Sequence, residues 1–308
     1  GPLRGWYAGP NVHAGQTLLN DDGPDWATMF YHAASDGELA AGAAQVVLHT
    51  DSKQLALHWR WLHKLGSGET HWRKVDSAES AAADSPLIVA LDVDTLDDAV
   101  AAVERLGPTV IWYKLGHHLL TQAGSDVTAY LTSIGKRVFL DLKLHEIPSA
   151  AAAAVRQARD LGVSAVSAHA SGGRPMLQAC ADAAGAELHL WALTVVSGLD
   201  DEEIRAVGFQ EDAGALSVIL AELAVGAGAD GIIGSPREAG PVRSALDDPF
   251  EIICPGIRTT SDLQDDQARH ATPSFAASQG ASRMIVGRPI LQAESPRDAA
   301  TAILAEFG

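Results

Sequence analysis

The sequence predicts an α/β protein, a (β/α)8 TIM barrel preceded by an N-terminal extension. Eight short apolar runs rich in β-branched residues recur between Pro86 and Arg288, and stretches of helical spacing separate most of them. Strands that alternate with helices imply right-handed βαβ units and a parallel sheet. No G-x-G-x-x-G follows the first run, as a doubly wound dinucleotide-binding sheet would require. Eight units in about 220 residues are what a closed barrel needs.

The predicted strands share an apolar composition that is typical of buried parallel strands. In chain order they are LIVALD, TVIWYKLG, VFLDLK, AVSAHA, LWALTVV, GIIGS, EIICPG and MIVGR. The segments LDDAVAAVERLG and AAAAVRQARDLG, which lie between such runs, have apolar residues every three or four positions and are predicted to be helices.

Composition limits the function classes. The formal net charge of −17 argues against nucleic acid or an anionic membrane surface as the main partner. No apolar run reaches about 18 residues, so we expect a soluble protein without a membrane span. Two cysteines, Cys180 and Cys254, provide no disulfide framework and favour a cytoplasmic location. Cys254 lies within an apolar run and is predicted to be a buried, inert thiol.

Residues 1–85 are predicted to form an extension of unknown role, and residues 86–308 the barrel. Five of the seven tryptophans lie in the extension, and a Ser/Ala/Asp-rich stretch at 76–85 is typical of a linker. The segment VVLHTDSKQLALHWRWLHKL predicts a strand followed by a helix. The tryptophans either dock the extension on the barrel or support a second small fold.

Most of the predicted strands end in, or run into, a polar residue, a proline or a glycine. In a (β/α)8 barrel the active site forms at the carboxyl ends of the strands, so we expect these side chains to converge on one mouth. They are Asp92, Lys114, Asp141, Lys143, His169, Ser197, Ser235, Pro255, Gly287 and Arg288.

A charged cluster is predicted at the third strand. Asp141 and Lys143 are two residues apart and so lie on one face; Lys114 ends the neighbouring strand, and Glu146 follows in the loop, so that charges can alternate. Opposite charges about 4 Å apart attract by about 4 kcal/mol at an effective dielectric of about 20, so we expect protonated lysines and ionised acids. A protonated lysine suits proton donation to a carbanion. A network that only holds the strand ends is the alternative.

The segment FLDLKLHEIP resembles the D-x-K-x-x-D signature of the orotidine 5′-phosphate decarboxylase family, in its bacterial form. LIVALD, YKLG, VSAHASGG, ICPGIR, DDQARHATP and GASRMIVGRPILQAESP resemble that family in the same order, over roughly residues 86–307. Related sugar-phosphate aldolases and decarboxylases share D-x-K-x-x-D, but PGIR and VGRPI in this order make the resemblance specific.

This resemblance implies decarboxylation of orotidine 5′-monophosphate to UMP and CO2 without a metal or cofactor. Lys143 would protonate the C6 carbanion, and Asp141 would lie against the departing carboxylate. Asp92 and Lys114 would hold the ribose hydroxyls. The last acid of the family's motif reaches across from a second subunit, so Glu146 implies a homodimer with a shared site.

The resemblance also implies a phosphate pocket for a pyrimidine nucleoside monophosphate. (β/α)8 barrels commonly bind phosphate at the loops after strands seven and eight, where Arg258 and the Gly287-Arg288 pair fall, and Gln267 matches the family's phosphate-side glutamine. The full predicted substrate-binding set is Asp92, His169, Ser197, Gly198, Pro255, Arg258, Gln267, Gly287 and Arg288.

Four positions depart from the family's pattern. Glu146 stands where the family has Asp, Ala150 where it usually has Thr, and Ser197-Gly198 where bacterial members typically have Thr-Ser. One added methylene moves a carboxylate by about an ångström, and such a misplacement can cost about 100-fold in rate. The departures leave three hypotheses: an orotidine 5′-monophosphate decarboxylase, a paralogue retuned to another reaction or modified nucleotide in nucleoside secondary metabolism, and a non-catalytic nucleotide-binding module.

Overall fold

The computed structural model describes residues 85–247, 249–258 and 271–308 in full and, before residue 85, the backbone of four strands. The chain divides into two compact units, Gly1–Lys74 and Val75–Gly308. None of the described helices is both long enough and apolar enough to cross a membrane.

The first unit contains an antiparallel sheet of four strands in chain order. The strands are β1 (Val12–Leu19), β2 (Trp26–Ser35), β3 (Glu38–Val47) and β4 (His58–Trp61). The helix predicted to include residues 58–61 is therefore wrong, because this segment pairs with β3 as a strand. The sequence HWRW alternates large aromatic and polar residues with a period of two, which suits a strand beside an available edge.

The second unit is a closed barrel of eight parallel strands in the circular order β5 to β12. The strands are β5 (Leu87–Ala90), β6 (Trp112–Leu115), β7 (Arg137–Leu144), β8 (Ala165–His169), β9 (His189–Leu193), β10 (Gly231–Ile233), β11 (Glu251–Cys254) and β12 (Arg283–Val286). Closure comes from β12, which pairs with β5. The predicted (β/α)8 barrel is confirmed, and each of the eight apolar runs contributes one strand.

Helices surround the barrel and connect its strands. The α-helices described are Leu96–Leu106, His117–Ala123, Asp126–Ser133, Pro148–Asp160, Arg174–Ala184, Asp201–Ala206, Ala213–Val225, Pro236–Ala245, Pro273–Ser278, Arg288–Leu291 and Pro296–Phe307. Short 3-10 turns lie at Gly107–Thr109 and Ala170–Gly172. The helix after β7 begins at Pro148, whose fixed φ suits the first turn. Residues 145–147 therefore form a short loop at the barrel mouth.

The core has two layers. Alanine, leucine and valine side chains fill the space between strands and helices, and a second cluster fills the barrel interior. In the interior, the Trp191 ring lies 4.8 Å from the Phe139 ring and 5.6 Å from the Trp112 ring, measured between centroids. The barrel is therefore packed rather than open along its axis, as is usual for this fold, and the carboxyl mouth is left for a ligand.

Both cysteines lie in the core as free thiols. Burial raises the pKa of Cys180 to about 11 and that of Cys254 to about 12. The predicted buried, inert state of Cys254 is confirmed, because a thiol with so high a pKa holds almost no thiolate at neutral pH.

A partly buried ion pair closes the end of the barrel opposite the mouth. The Arg283 side chain donates from Nε to Glu251 Oε1 at 2.8 Å and from Nη1 to the Ser85 carbonyl at 3.0 Å. Trp191 Nε1 donates to the other carboxylate oxygen of Glu251 at 3.1 Å. Arg283 is only 8% exposed and lies 4.8 Å from the Trp112 ring centroid. Strands β9, β11 and β12 and the entry to β5 are thus held by one network.

Glu251→Gln should lower the free energy of unfolding by about 1.5–3 kcal/mol, because the buried guanidinium of Arg283 loses its counter-charge. Urea unfolding followed by circular dichroism measures this loss. The matched control is Glu187→Gln at an exposed acid, which we expect to change stability by less than about 0.5 kcal/mol. Equal effects of the two changes would show that the network contributes nothing.

Candidate active site

Four charged side chains meet at the barrel mouth with alternating signs. Lys114 Nζ, from β6, lies 3.1 Å from Asp92 Oδ1 and 3.9 Å from Asp141 Oδ2. Lys143 Nζ lies 2.5 Å from the same Oδ2 atom of Asp141. The structure therefore brings Asp92, Lys114, Asp141 and Lys143 together in a chain, which we call the charge relay.

Burial differs along the charge relay. The side chains of Asp141 and Lys114 are 10% and 12% exposed, whereas those of Lys143 and Asp92 are 37% and 61% exposed. A buried carboxylate is costly unless it is paired and hydrogen-bonded, and two ammonium groups balance Asp141. Lys143 is therefore the cation of the relay that a ligand at the mouth reaches most easily.

The backbone of Lys143 is unusual. Strand β7 pairs with β8 through Leu140 opposite Val166 and then Leu144 opposite Ala168, so a bulge lies between the two pairs. Within the bulge Lys143 has φ of 48°, the one non-glycine residue of the described chain with positive φ. The prediction that Asp141 and Lys143 share one face assumes a regular strand and is thus incomplete, because the bulge sets the direction of Lys143. Bulges that re-aim side chains are frequent beside active sites.

Ser167 was missed by the sequence reasoning. It lies in β8, is fully buried, and donates from Oγ to Asp141 Oδ1 at 2.9 Å. The same Oγ accepts the backbone N–H of Lys143 at 2.8 Å. A signal was present in the sequence: a serine interrupts the apolar run AVSAH two residues before His169, on the face that carries that histidine.

Two histidines lie beside the charge relay. The rings of His145 and His169 are 5.6 Å apart in an edge-on arrangement. Burial lowers the pKa of His169, and the nearby His145 and Lys143 lower it further, while Asp141 acts in the opposite direction. The balance favours a neutral His169 imidazole at the mouth.

Glu146 does not join the charge relay within one chain, which corrects the predicted alternation of Lys114, Asp141, Lys143 and Glu146. Its side chain is exposed and its Oε2 accepts the backbone N–H of Ile147 at 2.9 Å. Its own backbone N–H points to the sulfur of Met176 at 3.4 Å. The Glu146 carboxylate is therefore exposed in the loop after β7, and Ala150, also exposed, lies in the first turn of the helix Pro148–Asp160.

The predicted phosphate-side residues lie at the ends of β11 and β12. Arg258 is 6% exposed and donates from Nη1 to the Ile257 carbonyl at 3.0 Å. Gly287 lies so near Asp92 that an added Cβ would be 3.4 Å from its Oδ2. Arg288 follows, exposed, as the first residue of a short helix. The end of β12 thus adjoins the start of the charge relay.

The remaining predicted residues are less closely tied to the relay. Pro255 is half-buried after β11, and Ser197 is partly exposed in the loop after β9. A Cβ at Gly198 would meet no atom within 4 Å, so packing does not require glycine there. Gln267 lies outside the described residues. In the described ranges, no group of three or more His, Cys, Asp or Glu side chains is arranged to hold a metal ion.

Comparisons with known proteins identify the family of the barrel. Residues 85–303 match the model of the orotidine 5′-phosphate decarboxylase / HUMPS family. The orotidine 5′-phosphate decarboxylase of Alcanivorax borkumensis is 40% identical over 223 residues, which cover 71% of this chain and 96% of that protein. The enzyme of the same name from Dichelobacter nodosus is 40% identical over 224 residues, covering 72% and 98%.

A solved structure matches the barrel as well. The crystal structure of orotidine 5′-phosphate decarboxylase from Lactobacillus acidophilus has a TM-score of 0.66 and 33% identity, and covers 73% of this chain and 99% of that chain. The resemblance inferred from FLDLKLHEIP and the later segments is confirmed at the level of the family, including its class as a decarboxylase-like lyase. The chain belongs to the orotidine 5′-phosphate decarboxylase / HUMPS family.

Proposed function

We propose that this protein decarboxylates orotidine 5′-monophosphate to UMP and CO2 in pyrimidine biosynthesis, without a metal or cofactor. The observation that carries the proposal is the charge relay, in which the accessible ammonium of Lys143 lies 2.5 Å from the buried carboxylate of Asp141. Its support from similarity is a match to relatives of that name over nearly their whole length.

In the proposed reaction the C6–carboxylate bond breaks and its electron pair stays on C6. Lys143 donates a proton from Nζ to that carbon and regains one from solvent after CO2 and UMP leave. A fixed cation beside the developing negative charge stabilises the transition state more than the substrate, which is how a preorganised site lowers a barrier. Asp141 keeps the ammonium in place and lies where the departing carboxylate leaves.

Substrate binding would use the Asp92–Lys114 end of the charge relay together with the residues that follow β11 and β12. Asp92 and Lys114 would hold the ribose hydroxyls, and Arg258, Gln267 and the Gly287-Arg288 pair would hold the phosphate. The nearness of Gly287 to Asp92 supports adjoining ribose and phosphate sites. Each charge-assisted contact contributes about 1.5–3 kcal/mol, and such remote binding can lower the barrier at C6.

The base side of the site is proposed to include His169, Ser197, Gly198 and Pro255. Neutral His169 adds no positive charge to compete with Lys143 for Asp141.

We further propose a cytoplasmic homodimer in which each site receives Glu146 from the second subunit. Within one chain Glu146 lies outside the relay, and the neighbouring residue Ile147 is 64% exposed, so the loop presents a carboxylate and an apolar residue to which a second copy can bind. The two buried free thiols fit a reducing compartment.

A retuned paralogue is the second candidate, and the open space at Gly198 together with the exposed Glu146 favours it. A nucleotide-binding module without catalysis is the third. It would bind 6-hydroxyuridine 5′-phosphate tightly and turn over no candidate nucleotide. A magnesium-dependent sugar-phosphate aldolase would require added metal.

The test of the main proposal is loss of the orotate ultraviolet band when enzyme and orotidine 5′-monophosphate are mixed. We expect turnover that EDTA does not change, and a fall in kcat of at least about 100-fold in Lys143→Ala, because the general acid is gone. Lys136→Ala is the control, since Lys136 donates to the Gly107 and Val110 carbonyls at the other end of the barrel. No band loss at high enzyme concentration would refute orotidine 5′-monophosphate as the substrate.

Gly198→Ser tests the retuned-paralogue hypothesis, in which the departures at 198 and 146 lower the turnover of orotidine 5′-monophosphate. The added hydroxyl has room and can contact the pyrimidine, so kcat/KM for orotidine 5′-monophosphate should rise about 5-fold, equivalent to about 1 kcal/mol. Gly198→Ala, which adds the Cβ without the hydroxyl, should give no gain. Glu146→Asp should also raise turnover if the longer acid limits it; if neither change helps, the retuned-paralogue hypothesis weakens.

His169 should make stability depend on pH. Because its pKa in the folded protein is lowered, the unfolded chain binds the proton more readily, so stability is full above the ordinary value of 6.5 and falls as the pH drops through it. Urea unfolding at about pH 8 and about pH 5 should show a smaller loss in His169→Asn than in wild type. His117→Asn, at an exposed histidine, should keep the wild-type dependence. An unchanged loss in His169→Asn would contradict the assignment.

A further inference from the structure

We propose that Ser167 is a positioning residue that holds the proton donor of the site through two hydrogen bonds of a single buried hydroxyl. The kinetic part of this inference rests on the proposed function. The structural part, that Ser167 sets the placement of Asp141 and Lys143, stands on the geometry of β7 and β8.

The direction of both hydrogen bonds follows from chemistry. The Asp141 carboxylate only accepts and the backbone N–H of Lys143 only donates. Ser167 must therefore give its single hydrogen to Asp141 Oδ1, at 2.9 Å, and accept from Lys143 N, at 2.8 Å. The other carboxylate oxygen, Oδ2, faces the two lysine ammonium groups. Each oxygen of Asp141 thus has its own partner, and the carboxylate cannot rotate without losing one.

The backbone contact replaces a missing ladder hydrogen bond. Pairing between β7 and β8 is interrupted from Leu140 to Leu144, and Lys143 lies inside this bulge with φ of 48°. A non-glycine residue in this region persists only where its surroundings hold it there, and a buried N–H without an acceptor is costly. The Ser167 hydroxyl supplies that acceptor and so stabilises the backbone from which the Lys143 side chain projects.

Loss of the Ser167 hydroxyl should affect the catalytic step and not substrate binding. Ser167 is 0% exposed, so it offers no surface to a nucleotide at the mouth, and it acts through Asp141 and Lys143. A displacement of a reacting group by about 1 Å can cost about 100-fold in rate. Loss of the hydroxyl should therefore lower kcat while leaving KM nearly unchanged, because the proposed ribose and phosphate contacts are retained.

The kinetic test compares Ser167→Ala with Ser217→Ala. Ser217 is a buried serine of the helix Ala213–Val225 whose hydroxyl has no hydrogen-bond partner in the described part of the chain. With orotidine 5′-monophosphate, Ser167→Ala should lower kcat by about 10- to 100-fold, with KM within about 3-fold of wild type. Ser217→Ala should match wild type in both. Wild-type kcat in Ser167→Ala would overturn the inference.

A second readout needs no turnover. Acetic anhydride at limiting concentration modifies amines, and peptide mass spectrometry gives the rate at Lys143. We expect this rate to rise several-fold in Ser167→Ala, because Asp141 loses its hydrogen bond from Ser167 and then holds the Lys143 ammonium less firmly. In Ser217→Ala the rate should stay at the wild-type value. Wild-type enzyme that fails to convert orotidine 5′-monophosphate, while Lys143 labelling still responds to Ser167→Ala, would refute the proposed function and support the positioning role. Unchanged labelling would refute the positioning role.

Ser167→Cys keeps the question testable if Ser167→Ala does not fold. A thiol is larger than the hydroxyl, so it leaves no cavity, and it is only a weak donor and acceptor. Intermediate kcat with preserved KM is the expected result, and wild-type kcat together with wild-type Lys143 labelling would count against the inference.

Discussion

The buried carboxylate of Asp141 is the constraint on which the rest of the site depends. An ionised acid that is 10% exposed would be strongly unfavourable alone, and three neighbours make it tolerable: two ammonium groups and one hydroxyl. These partners come from β6, β7 and β8, so adjacent parallel strands must be in register before the charges balance. The placement of Lys143 thus depends on the pairing of β6, β7 and β8.

One end of the barrel contributes to stability, and the other end carries the candidate active site. At the closed end, Arg283, Glu251 and the interior tryptophans form a packed network that ties strands together. At the mouth, the backbone of Lys143 is strained by its positive φ, and the strand ends carry charged side chains. Strain of this kind persists only within a rigid surrounding structure, which the packed interior provides.

The departures from the family pattern lie where packing constrains them least. Glu146 and Ala150 are exposed, and Gly198 has open space around its Cα. The charge relay and Gly287, by contrast, lie against one another within a few ångströms. Substitution at the exposed positions therefore disturbs little packing, whereas a change within the charge relay would remove contacts between its members.

The sequence by itself determined the barrel, because its eight apolar runs and the helices between them are local patterns. It also predicted the polar strand ends and the meeting of Lys114, Asp141 and Lys143. Only the tertiary structure decided the strand at His58–Trp61, the bulge at Lys143, the contact with Ser167 and the exposure of Glu146 outside the charge relay. Periodicity is written in neighbouring residues, whereas strand pairing, bulges and a hydrogen bond between residues 26 apart depend on how distant segments align.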